Sequence, residues 1–123
     1  MTKRVLDVGN CSPDFGAISR FLTANFDCQV DQAHGPDDAL AELRKGDYAL
    51  VLINRKLDRD YSDGIEILKQ LKADSELQSV PVMLVTNLSE HQDAAVAAGA
   101  ERGFGKLEFE IPETLERLKA FLE

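Results

Sequence analysis

The stretch Ala49-Leu50-Val51-Leu52-Ile53-Asn54 is a continuous apolar run that stops at a carboxamide. Unbroken apolarity over strand length, without alternation, predicts a β-strand covered on both faces, as in a parallel sheet packed between helices. Working outward from this run (residues 48–53), similar segments occur at 4–8, 28–32, 81–86 and, more briefly, 101–105. The third and fourth read as central strands, the second and fifth as outer ones. Segments of helical period lie between them: Phe15, Ile18, Phe21 and Leu22 share one face, as do Ile65, Leu68 and Leu71, and Leu115, Leu118 and Leu122. Strands alternating with amphipathic helices predict a five-fold βα repeat. Boundary signals agree. Ser12-Pro13 offers a cap before a first-turn proline, Gly35-Pro36-Asp37-Asp38 opens the second helix, and Gly46 and Gly99 suit helix exits. Asp63-Gly64 precedes the third helix, and Ser89-Glu90 stands where the fourth begins.

With 123 residues, 44% of them hydrophobic, the chain suits one compact domain spanning residues 1–123. Fourteen basic against 22 acidic side chains give a net charge of −8, which argues against non-specific binding to nucleic acid or an anionic membrane. The acidity suits basic protein partners instead. Cys11 and Cys28 form neither a CxxC pair nor a His-linked metal pattern, so idle thiols are expected rather than a disulfide framework or zinc site. No apolar leader precedes the first strand and no segment has the length of a membrane span, which makes the cytoplasm the expected location. No Ser-His-Asp set, P-loop or GxGxxG is present, so an enzyme is not expected; His34 and His91 read as surface histidines.

The whole chain resembles the receiver domain of bacterial two-component response regulators. That resemblance implies an α/β, flavodoxin-like, doubly wound (βα)5 three-layer sandwich with strand order 2-1-3-4-5, and a crevice outside the carboxyl ends of the strands. Asn54 then stands where the family carries its phosphate-accepting aspartate. A carboxamide is a poor nucleophile and cannot hold an acyl phosphate. The adjacent acids that hold Mg²⁺ in the family are replaced by Gly9 and Asn10 in Val8-Gly9-Asn10. Without anionic oxygen ligands, no Mg²⁺ and no other cofactor is expected.

Thr86 and Lys106 match the hydroxyl and ammonium that contact the phosphoryl group in the family. They read either as a residual anion pocket, with Lys106 no longer neutralised and Arg55 and Lys56 adding charge, or as local hydrogen bonding. Leu107 replaces the proline that usually follows the lysine, Gly103 stands near the position of the switching aromatic with Phe104 packing inward, and Asn87 replaces a small residue. The segment 55–64 is about two residues longer than the commonest family loop. Its Asp58, Asp60 and Asp63 are candidates for a displaced phosphoacceptor. Asp7 interrupts a buried strand and requires a partner, Lys106 or a backbone donor.

The expected function is therefore a pseudo-receiver: a phosphorylation-independent signalling domain that binds a protein partner or output domain. Ala94, Ala95, Val96, Ala97 and Ala98 offer small side chains on the docking face the family uses. A small-anion or nucleotide sensor at Thr86 and Lys106, and an unconventional phosphorelay receiver, are the alternatives.

Overall fold

A computed structural model describes residues 2–123. The chain alternates β1 (Lys3–Val8), α1 (Ser12–Asn25), β2 (Cys28–Ala33), α2 (Pro36–Lys45), β3 (Leu50–Asn54), α3 (Ile65–Ala73), β4 (Val82–Val85), α4 (Ser89–Ala97), β5 (Glu101–Phe104) and α5 (Pro112–Leu122). The strands pair in parallel in the order β2-β1-β3-β4-β5. This is the doubly wound, flavodoxin-like arrangement, with β3 central and β2 and β5 at the edges.

Strand alternation divides the core. Val5, Leu50, Leu52, Met83, Val85 and Phe104 face Ile18 and Leu22 of α1 and Leu118 and Leu122 of α5. Leu6, Val8, Val51, Ile53, Val82 and Leu84 face α2, α3 and α4 through residues such as Leu43, Leu68, Leu71 and Ala95. Each such aliphatic side chain contributes about 1.5–3 kcal/mol on burial, so β3, apolar on both sides, anchors both layers.

The segment boundaries move by one or two residues from the expected ones. Ser12 is the first residue of α1, with Cys11 at the cap position and Pro13 in the first turn. The second helix opens as expected: the backbone N–H groups of His34 and Gly35 both donate to the Asp38 carboxylate at 2.8 Å. β3 pairs from Leu50 rather than from residue 48; Tyr48 precedes the paired residues, its hydroxyl donating to Asp31 at 2.8 Å and accepting from Arg4 at 3.0 Å.

Candidate functional site

The ends of β3 and β4 and the β5–α5 connection enclose an open crevice of about 330 Å³ lined by Asn54, Arg55, Lys56, Thr86, Asn87 and Lys106. Asn54 is the last residue of β3. Its Nδ2 donates to the carbonyl oxygens of Lys56, at 2.6 Å, and Gly9, at 3.4 Å. Two carbonyl acceptors fix which end of the amide faces them. A carboxylate in this seat would set its oxygens against the same two carbonyls.

The remaining positions at the end of β1 do not fit a divalent cation. Gly9 has no side chain and a left-handed backbone, φ 82°, and a Cβ there would meet the Leu57 side chain. Asn10 is fully buried and turned away from the crevice, with Nδ2 donating to Asp7 Oδ1 at 2.5 Å. A hard cation needs charged or carbonyl oxygens aimed at one point, and this set offers an amide nitrogen, a bare glycine and a buried amide. Among the described residues no group of three or more His, Cys, Asp or Glu side chains could hold a metal.

Asp7 has neither of the partners expected from sequence. Its hydrogen-bond donor is the Asn10 side chain. Burial raises its carboxyl to about 7, against the opposing effects of the Asn10 hydrogen bond and the more distant Lys106. Lys106 is committed elsewhere: Nζ pairs with Asp14 Oδ2 at 2.8 Å, and this contact holds the Asp14 carboxyl below its ordinary value. The ammonium is therefore paired, as in the local-bonding reading of Thr86 and Lys106, with an acid that sequence reasoning missed. The signal was present in Pro13-Asp14, an acid in the first turn of a helix, but its partner lies 92 residues away.

Thr86 satisfies local backbone, its Oγ1 accepting from Leu88 N at 3.2 Å. Lys56 pairs with Asp63 at 2.7 Å, whereas the Arg55 guanidinium forms no ion pair among the described residues. Each of the three acids of the long loop lies beside a neighbouring polar group. Asp63 holds Lys56, Asp60 accepts from Ser62 N and Oγ at 3.0 and 2.6 Å, and Asp58 Oδ1 lies 3.7 Å from His34 Nδ1. His34 is thus half-buried against this loop rather than an open surface histidine. The loop itself is pinned by the buried Leu57 and by Asp58 N donating to Gly9 O at 3.0 Å.

Beyond the crevice, a bulge disturbs the β4–β5 pairing between Met83 and Val85. Gly103 sits there with no room for a Cβ, which would meet the Leu84 carbonyl oxygen. The buried Gln92 of α4 fills the gap: Nε2 donates to the carbonyls of Leu84 and Thr86 at 2.9 and 3.2 Å, and Oε1 accepts from Gly103 N at 2.8 Å. Sequence reasoning missed this residue also, since a glutamine on a polar helix carries no pattern. Phe104 packs inward, fully buried, near Phe21 and Phe109, whose rings stack at 4.6 Å. Leu107 is 84% exposed, and its N–H donates to Asn87 Oδ1 at 3.1 Å. Of the alanine run, Ala95 covers the sheet while Ala94, Val96 and Ala97 face outward. Both cysteines are free, and no helix among the described residues is long and apolar enough to cross a membrane.

The fold matches several solved structures. A candidate response regulator from Chloroflexus aurantiacus superposes with a TM-score of 0.83 at 19% identity, covering 98% of each chain. A response regulator receiver protein from Pseudomonas putida gives 0.78 at 15% identity, again with 98% of each chain covered. The chemotaxis response regulator CheY4 of Vibrio cholerae gives 0.76 at 22% identity, over 99% of this chain and 100% of that one. At these identities the likeness is one of fold. Residues 15–111, most of the chain, match the family model for the response regulator receiver domain. This protein belongs to the response regulator receiver domain family, whose members serve signal transduction.

Proposed function

We propose that residues 1–123 act as a pseudo-receiver, a phosphorylation-independent protein-docking domain within two-component signalling. The observation that carries this reading is the Asn54 side chain at the end of β3, whose amide nitrogen serves the carbonyls of Gly9 and Lys56. Phosphoryl transfer needs a positioned anionic nucleophile and a metal to balance developing charge. Gly9 and Asn10 supply neither, and Lys106 already answers Asp14. Receiver domains pass their signal through contacts with other signalling proteins or output domains, and the outward side chains of Ala94, Val96 and Ala97 permit close approach on the face formed by α4, β5 and α5.

The two alternatives draw less support from the same geometry. An anion sensor would rest on Arg55, with Thr86 and Lys106 otherwise engaged, and a displaced phosphoacceptor would have to break the contacts of Asp60 or Asp63 or draw on Asp58, which lies beside His34. Incubation with acetyl phosphate and Mg²⁺ followed by intact-mass measurement tests the reading. The mass is expected to stay unchanged, and a stoichiometric phosphoryl adduct would overturn it.

A further inference from the structure

Four buried side-chain atoms among the described residues have no hydrogen-bond partner, and two of them belong to Asp7 and Asn10. These residues already touch, Asn10 Nδ2 donating to Asp7 Oδ1, and both are fully buried. The atoms left over are Asp7 Oδ2 and Asn10 Oδ1. Both are acceptors when Asp7 is ionised, and a buried pair of acceptors from two joined planar groups is unfavourable. One proton on Oδ2 would supply a donor for the orphaned Asn10 amide oxygen, which belongs to the same carboxamide whose nitrogen already donates to Asp7 Oδ1. The two groups then form a cyclic acid–amide pair in which both orphaned oxygens gain a partner.

The charged surroundings favour the neutral acid. Lys106, from the β5–α5 connection, is the cation that would stabilise an ionised Asp7, but it pairs with Asp14. Asp14 from α1 and Asp58 from the loop after β3 both oppose a further negative charge, and His34 of the β2–α2 connection lies against Asp58. From β2, Gln32 presents only an amide, its Nε2 donating to Asn10 O at 3.2 Å.

The pair also sits at a junction. Gly9 N donates to Ala33 O at 2.9 Å, while Gly9 O accepts from Asp58 N and from the Asn54 amide. We propose that Asp7 is carried as a neutral carboxylic acid in a ring with the Asn10 carboxamide, and that loss of its proton loosens the Gly9-Asn10 turn and the loop 55–64 hydrogen-bonded to it. This inference does not depend on whether the crevice accepts a phosphoryl group.

Carbon-13 NMR of the Asp7 carboxyl in the wild-type protein, with amide exchange at Asp58, tests it. The Asp7 Cγ resonance is expected to remain that of a neutral acid at about pH 5 and to titrate near 7. Asp7→Asn keeps a two-point amide–amide ring with no proton to lose. Relative to that variant, protection of the Asp58 N–H in the wild type is expected to fall about tenfold once Asp7 ionises. An Asp7 carboxyl already ionised at about pH 5, or identical pH dependence of Asp58 protection in the two proteins, overturns the proposal. Should Asp7→Asn not fold, the wild-type carboxyl titration decides the protonation state, and a loss of Asp58 protection that follows the Cγ titration in the wild type takes the place of the comparison.

Discussion

Lys106 Nζ meets Asp14 Oδ2 at 2.8 Å, so the family lysine of the crevice is answered by the first turn of α1 rather than by acids at the end of β1. Asp14 is 41% exposed, and a solvated pair of this kind contributes about 0–1 kcal/mol. Its larger effect is on what the crevice attracts.

Asp14→Asn should therefore cost less than about 1 kcal/mol in chemical denaturation yet free the ammonium to act with Arg55. Phosphate titration followed by thermal shift should give saturable stabilisation in the variant that exceeds the wild-type response. Equal responses in the two proteins would show that the ion pair does not control access.

Repairing the lost acids should fail for a backbone reason. An aspartate at position 9 must adopt φ 82° and displace Leu57, at about 1–2 kcal/mol. Asn54→Asp removes a donor from the carbonyls of Lys56 and Gly9, at about 0.5–1.5 kcal/mol, since Gly9 O still accepts from Asp58 N. The double variant Gly9→Asp/Asn54→Asp should be measurably less stable in urea and should still take up no phosphoryl group from acetyl phosphate and Mg²⁺ by intact mass.

Gln92→Leu keeps the volume of a buried side chain but abandons the carbonyls of Leu84 and Thr86 and the N–H of Gly103. We expect a loss of about 2–4 kcal/mol in equilibrium unfolding, with backbone relaxation by NMR showing new motion at the β4–β5 bulge. An unchanged stability would mean that the bulge is held by the strands alone.

Asp7 also sets a pH dependence. The folded protein keeps the proton up to about pH 7, whereas the unfolded chain releases it near the ordinary carboxylate value of about 4. Between those limits the unfolded state binds fewer protons, so the Asp7 contribution is complete at low pH and declines as pH rises through the window. Asp14, Asp31 and Asp38, whose carboxyls are held low, act in the opposite sense. The difference between Asp7→Asn and wild type isolates the effect. The variant should gain relative stability from about pH 4 to about pH 7, by roughly 1 kcal/mol per unit or less, and level off above.

The amino-acid sequence alone determined the layered βα repeat, because burial on two faces leaves an uninterrupted apolar signature in the run ending at Ile53, and helix faces repeat at a fixed period. It also placed Asn54, Thr86 and Lys106 near the carboxyl ends of their strands, since strand ends coincide with the ends of apolar runs. The partners of those residues were decided only by the tertiary structure. Asp14 and Lys106 are far apart along the chain, Gln92 belongs to no periodic pattern, and Asp7 and Asn10 meet across a turn whose Gly9 has φ 82°. Hydrophobic burial is read from local order, whereas hydrogen bonds and ion pairs depend on which loops converge in space.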